Sequence, residues 1–417
     1  MASLASDVRV GIRELLETHG KPTREVYLDS ENSGMIFPEA LKSMVDAYKE
    51  SFTGHPSITH RRGWESYEAL YKASSNIAKF INCKPDELAF THNGTEANNL
   101  AVLGLNKESG RRNIVVSAIE HLSVIFPAEQ LQKYGYKVIK VPVDQEGFVN
   151  LDFLMNNVDK DTLLVSVGAV NHEIGTIQDL RAIVESVKDK DENIIFHTDA
   201  CDALGRIGLD VKKLNVDLAS FSSHKVCGPK GAGVLYIREG VKVEPIIHGQ
   251  LSTQKLWPGL ENVPAIAGFG KAIELFTSNF DSYVNRMTKL RDSLIQGILS
   301  SVEYTLLNGP SGNKRSPDNA NVSVLYCEGE ALTVELSLKG IYVSSGSACT
   351  SRILQPSHVL LAIRREFHEA HGSILMKVTP LHSYEDVQYV IENIPSVVQR
   401  LRSISPLKPK EGGEDVG

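Results

Sequence analysis

From about residue 86 the chain alternates short apolar runs with helix-length amphipathic stretches, and this alternation restricts the fold more than any other feature. The runs are Leu88–Phe90, Asn113–Ser117, Lys137–Val141, Thr162–Val167, Asn193–His197 and Leu218–Phe221, with a further one at Gly231–Ile237. Strands that alternate with helices predict an α/β domain around a mainly parallel, doubly wound sheet. A long helix is expected over about 265–302. The turn-rich stretch Asn308–Asp318 reads as a loop, and the mixed elements beyond it read as a smaller α+β C-terminal domain. The expected organisation is therefore a helical segment at 1–25, a large domain at 26–270, a small domain at 271–404 and a disordered tail at 405–417. The tail carries too little apolar material to fold.

Bulk properties narrow the class. A chain of 417 residues is long for a single core, so two domains are the default. A net charge of −7 argues against a nucleic-acid-binding surface. The five cysteines, at 83, 201, 227, 327 and 349, include no C-x-x-C pair, which suggests free thiols in a reducing compartment and no metal site. No apolar run reaches membrane-spanning length and the N-terminal residues show no secretory pattern, so a cytoplasmic location without membrane attachment is expected.

Chemistry concentrates where strands end. Ser222-Ser-His-Lys-Val-Cys-Gly-Pro-Lys-Gly231 places Lys225 directly after a strand, between hydroxyls, a histidine and a Gly-Pro turn. This is an amine suited to a Schiff base with pyridoxal phosphate, a cofactor that acts as an electron sink. Asn93-Gly-Thr-Glu-Ala-Asn-Asn99 follows another strand and opens a helix. There Gly94 frees the turn, Thr95 is available as the cap, and the first N–H groups point at an anion. Asp199 ends the run that begins at Ile194, at the sheet edge where ligands bind in such folds, and would keep a pyridine nitrogen protonated. His121 would stack on a planar cofactor or act as acid and base, and Asn171 would bond the cofactor's phenolate oxygen. Each of these four has an ordinary structural alternative, as a helix cap or a strand-end turn residue. Cys349, in Ser344-Ser-Gly-Ser-Ala-Cys-Thr-Ser351, sits among small polar residues, where an exposed thiol is a liability unless it is used.

Taken in order, the motifs resemble those of the pyridoxal-phosphate-dependent cysteine desulfurases, which belong to the class-V aminotransferase superfamily with the fold-type I architecture. The similarity runs from about Tyr27 to about Ile404. It implies a homodimer that removes sulfur from L-cysteine, leaving L-alanine. Cys349 would take the sulfur as a persulfide and pass it to an acceptor protein, for iron–sulfur cluster assembly or tRNA thiolation. It also implies that Thr95, Ser222 and His224 hold the phosphate, Asp199 the pyridinium and Asn171 the phenolate, with His121 against the ring.

The departures from the family pattern fall in the same site. Asp202 stands where the family has glutamine, and a carboxylate beside a phenolate must be protonated, turned away or differently partnered. Leu260 replaces a threonine that reaches the partner subunit's phosphate, and Ser30–Pro38 replaces the family's Asn-Ala-Ala-Thr-Thr-Pro stretch near the substrate. Leu375 replaces the arginine that clamps the substrate carboxylate. Lys377, two positions on, faces the same side of a strand and offers a point charge in its place. Two alternatives therefore stand beside a desulfurase: a class-V enzyme acting on another amino acid, or a desulfurase-like scaffold that has lost catalysis.

Overall fold

The computed structural model describes residues 13–15, 17–50, 54–105, 107–345 and 356–406. Strand β1 (Val26–Tyr27) precedes the main sheet. Seven strands form that sheet: β2 (Leu88–Thr91), β3 (Asn113–Ser117), β4 (Lys137–Val141), β5 (Thr162–Ser166), β6 (Ile195–Asp199), β7 (Leu218–Ser222) and β8 (Gly233–Ile237). Their order is β2-β8-β7-β6-β5-β3-β4. All neighbours from β7 to β4 run parallel, whereas β8 is antiparallel to both β7 and β2, so β2 points the same way as the parallel set. The central strands are apolar through their middles: Ile114, Val115, Val116, Leu164 and Val165 have no exposed surface. That is the signature of a sheet covered by helices on both faces.

A second sheet, antiparallel, consists of β9 (Thr305–Leu307), β10 (Asn319–Val324), β12 (Ser344–Ser345) and β13 (Ser373–Lys377), in the order β12-β13-β10-β9. Between them β11 (Ile341–Tyr342) pairs in parallel with β1, which carries residues 26–28 across to the second sheet. The long helix Val263–Ser301 is capped by Asn262 and kinks at Asn279, whose φ is −131°. Near its start Gly270 lies against Ala73 of the helix Arg61–Ile81, and near its end Gly297 lies against Ile391 of the helix Tyr384–Ile404. One helix thus braces both sheets. Among the described residues no helix is long and apolar enough to cross a membrane, and no group of three or more His, Cys, Asp and Glu could hold a metal ion.

This topology aims five carboxyl ends at one edge. β2 leads into Asn93–Thr95, β3 into Glu120 and His121, β5 toward Asn171, β6 ends on Asp199, and β7 leads into Lys225. Ligands of open α/β sheets bind outside this edge.

Candidate active site

A cavity of about 220 Å³ lies there, lined among others by Gly94, Thr95, His121, Asn171, Asp199, Asp202, Ser222, His224 and Lys225. Every one of the nine cavity residues singled out from sequence is brought together. Cys349 lies outside the described residues, as does the tail from 407 onward. Lys377 approaches from the second sheet.

The Gly94–Leu103 helix starts on the cavity wall. Its cap is Asn93, whose Oδ1 accepts the Glu96 N–H at 2.9 Å, so the expected cap at Thr95 is corrected. Asparagine two residues earlier already holds the extended backbone that a cap needs, and Thr95 is left exposed inside the first turn. A Cβ at Gly94 would stand 2.6 Å from Cys201 Sγ and 3.4 Å from Ser222 Cβ, so only glycine leaves this space open. Ser222 Oγ is buried and has no hydrogen-bond partner among the described residues. Nδ1 of His224 accepts the Gly34 N–H at 3.3 Å, which leaves Nε2 as the protonated nitrogen. Burial, reinforced by Lys225, drives the His224 pKa down to about 3, so the ring is a neutral donor. Helix amides, an unpartnered hydroxyl and a neutral imidazole N–H suit a phosphate.

Asp199 is fixed from two sides. Its Oδ2 accepts from Asn98 Nδ2 at 2.7 Å and its Oδ1 from the Cys201 N–H at 3.0 Å. Asn98 also donates to Ser123 Oγ at 2.8 Å. Ser123 directs both its N–H (3.1 Å) and its hydroxyl (2.6 Å) at His121 Nδ1, so His121 keeps its proton on Nε2. Asn98 is therefore the link between the two strand-end residues, and nothing in the sequence distinguished it from Asn99 beside it. His121 caps the Leu122–Gln132 helix, so its structural alternative is also real. Its ring meets that of His172 edge-on at 5.0 Å. Burial, then His121, holds His172 well below the usual imidazole range. Asn171 gives one amide hydrogen to Ile119 O at 2.8 Å and accepts from the N–H groups of Glu173 and Ile174; its second amide hydrogen has no such duty.

Lys225 is buried, and its Nζ contacts Glu31 Oε1 at 2.5 Å and Asp202 Oδ2 at 3.0 Å. Burial opposes its charge, but Asp202 and Glu31 outweigh that and raise its pKa. Lys377, 1% exposed, contacts Glu31 Oε2 at 2.6 Å and also Asp202 Oδ1. Asp202 is consequently ionised: despite burial, Lys225 and Lys377 hold it well below the usual carboxylate range. Of the three fates open to Asp202, the third applies, since it is differently partnered. Leu375 pairs across the sheet with Asn321, and Lys377 with Asn319, confirming that the two share a face. Glu31 was missed as an individual residue. The only sequence signal was that its segment departs from the family pattern.

Two further buried carboxyl groups flank the site, each beside a site residue in sequence. Burial raises Glu120 and Glu173 to about 8. Glu173 Oε2 accepts from Ser357 Oγ at 2.5 Å, and His358 Nε2 lies 2.9 Å from Glu120 O. Cys227, in contrast, is a buried residue whose thiol is pushed up to about 12, first by burial, and it packs beneath the turn.

Residues 26–390 match the class-V aminotransferase family. The chain belongs to this family. It is 42% identical over 387 residues to the cysteine desulfurase IscS of Dictyoglomus turgidum, covering 92% of this chain and 97% of that protein. It is 39% identical over 395 residues to the mitochondrial cysteine desulfurase of Saccharomyces cerevisiae, covering 94% and 78%. A solved NifS-like protein superposes with a TM-score of 0.84 at 34% identity, over 91% of this chain and all of that one. A structure of SspA in complex with cysteine gives 0.70 at 27% identity, over 86% and 99%. The expected fold-type I architecture is thus found, and the cofactor is pyridoxal phosphate. The residues fit it. Gly94, Thr95, Ser222 and His224 would offer the phosphate its donors, Asp199 would meet the pyridine nitrogen, and Lys225 would supply the amine.

Proposed function

We propose that the chain is a pyridoxal-phosphate-dependent cysteine desulfurase. It converts L-cysteine to L-alanine and leaves the sulfur as a persulfide on Cys349. When bound, the cofactor supplies a sink for the electrons released at the substrate's Cα. Lys225 Nζ moves the proton at Cα, and His121, protonated on Nε2, stands ready as a second donor. The Cys349 thiolate attacks the substrate sulfur. A sulfur–sulfur bond forms as the carbon–sulfur bond breaks, the bonding pair stays with the alanine fragment, and that carbon takes up a proton.

The observation that carries this reading is how the segment bearing Cys349 is tethered. The chain enters it from the buried strand β12 and leaves it at Ser357 and His358, which bond to Glu173 and to the Glu120 carbonyl. Those partners directly follow His172 and directly precede His121, so the residues that follow this segment are held beside the cavity. Thiol delivery to the site needs that placement.

The same reading has an acceptor protein collect the persulfide sulfur, for iron–sulfur cluster assembly or tRNA thiolation. The enzyme is a cytoplasmic homodimer with no direct contact to nucleic acid. Exposed Trp64, Tyr67 and Tyr71, stacked along one face of the Arg61–Ile81 helix, are the aromatic surface that subunit interfaces favour.

The test is mass spectrometry of the loaded protein after exposure to L-cysteine, with L-alanine measured in parallel. One added sulfur on Cys349 and matching alanine are expected; alanine without sulfur on Cys349 removes that residue from the mechanism. A second reading is favoured by the carboxylates on Lys377: a class-V enzyme for an amino acid with a masked carboxylate. A lapsed scaffold is disfavoured by Lys225, whose buried charge is costly to keep without use.

A further inference from the structure

Where the cavity meets the second sheet, two ammonium groups and two carboxylates close into a ring. Glu31 bridges Lys225 and Lys377 with its two oxygens, at 2.5 and 2.6 Å, and Asp202 bridges the same pair from the other side. Two positive and two negative charges cancel, so the assembly has no charge to spare for an incoming anion. The two carboxylates are held differently. Asp202 is 6% exposed in its side chain and sits in the turn directly after Asp199, next to the buried Arg206–Asp318 pair. Glu31 reaches in from a separate turn at residues 30–33 and is 11% exposed.

That turn is pinned as a unit. Tyr27 donates to Ser33 O at 2.8 Å, and Asn32 to Asp29 at 2.7 Å. Gly34 lies so close to the His224 backbone that a Cβ there would stand 1.8 Å from His224 O. Lys377 is fixed as well, its N–H bonded to Leu28 O at 2.8 Å. The Glu31 side chain can swing out from its fixed backbone, whereas Lys377, 1% exposed, stays held by Asp202. With Lys225 engaged by the cofactor, the same arrangement leaves Glu31, which lines the cavity, paired with Lys377 behind it.

We infer that Glu31 is a specificity-determining residue: its carboxylate occupies on Lys377 the place of a substrate α-carboxylate, and L-cysteine binds by displacing it. The inference rests on reading the site as one for L-cysteine with Lys377 as anchor. It predicts that the native protein gains little from a free carboxylate on its substrate, because one carboxylate only replaces another.

The experiment uses the full chain loaded with pyridoxal phosphate, titrated with L-cysteine and with L-cysteine methyl ester. The cofactor's visible absorbance gives both dissociation constants, and L-alanine release is measured separately. In E31Q the dissociation constant for L-cysteine falls about tenfold or more, the scale of one charge-assisted contact, while that for the ester moves less than about twofold. In the double variant E31Q/K377Q the gain disappears. Should E31Q fail to load the cofactor, E31A removes the same carboxylate and gives the same selective gain. An unchanged or reduced preference for L-cysteine over its ester in both single variants overturns the role of Glu31, even if the native protein releases alanine. If neither native protein nor variant releases alanine from L-cysteine, the substrate reading fails and takes this role with it.

Discussion

At the end of the cavity built by Gly94, Ser222 and His224 the protein presents neutral donors, one of them a hydroxyl with no partner among the described residues. At the end built by Lys225, Lys377, Glu31 and Asp202 it presents four charges that already satisfy one another. The first end is organised for an anion that comes from outside. The second is complete before any ligand arrives, so whatever binds there must open it. An unsatisfied buried donor marks a place kept for a ligand, whereas a saturated ion cluster marks one where binding is an exchange.

The largest effect expected at either end comes from Lys225. Lys225→Ala removes the amine of the charged end that would carry the cofactor, and alanine formation should fall by roughly 10²- to 10⁴-fold, the usual weight of a positioned acid–base group. The visible band of the loaded enzyme should vanish with it. A variant retaining both would show that another amine does this work.

Stability should separate the two ends more clearly. Lys377→Met strips one cation from the buried ring and leaves Glu31 and Asp202 to share Lys225 alone. Breaking a buried pair from one side typically costs about 3–5 kcal/mol, visible as a lower urea midpoint. Ser222→Ala removes a hydroxyl with no partner, so the cofactor-free protein should keep its midpoint while its affinity for pyridoxal phosphate drops. Equal losses of stability in the two variants would erase the contrast between a reserved site and a saturated one.

Asn98 lies on the neutral side, and its effect should be smaller. Asn98→Ala deletes the 2.7 Å contact that orients Asp199 and the link to Ser123. A hydrogen bond to a charged group contributes about 1.5–3 kcal/mol, so cofactor affinity should weaken by one to two decades, read by reconstitution at graded cofactor concentration. No change would mean that the Cys201 N–H holds Asp199 unaided.

Sequence reading reached the neutral end because its parts stand at strand ends, and strand ends in a parallel sheet converge on one edge whatever the loops do. Lys225, Asp199, Asn171 and His121 needed only that rule. Lys377 needed the period of two along β13. Glu31 needed something that local pattern does not hold. It is 194 residues from Lys225, and the contact exists because Gly34 lets a distant turn lie on the His224 backbone. The direction of β8 was similarly hidden, since Gly233–Ile237 is equally apolar in either orientation. Glycine and threonine at 94 and 95 look like a helix start in sequence, while Asn93 just before them has the better capping geometry.

The smallest effect concerns the carboxyl groups that brace the segment of Cys349, and it follows from the direction of their shifts. Glu173 and Glu120 are raised to about 8, chiefly by burial. The folded protein therefore holds protons there that the unfolded chain, with ordinary glutamates near 4.3, has already released. Stability from these groups is fully present below the unfolded value and is lost as pH climbs toward 8. These two groups should accordingly pull the native chain's melting midpoint down between about pH 5 and 8, against the opposite pull of His172 and His224, whose lowered folded-state values favour the fold as pH rises. Glu173→Gln keeps an oxygen to accept from Ser357 but cannot ionise, so the midpoint of this variant should lose part of that downward pull and differ from the native chain most near pH 8. The ring around Lys225 should not respond across the same range, because Asp202 is held well below it and Lys225 above it. A slope identical to that of the native chain would mean that Glu173 already ionises in the folded state. Its bond to Ser357 would then be that of a carboxylate, and the base of the Cys349 segment would carry a charge instead of a proton.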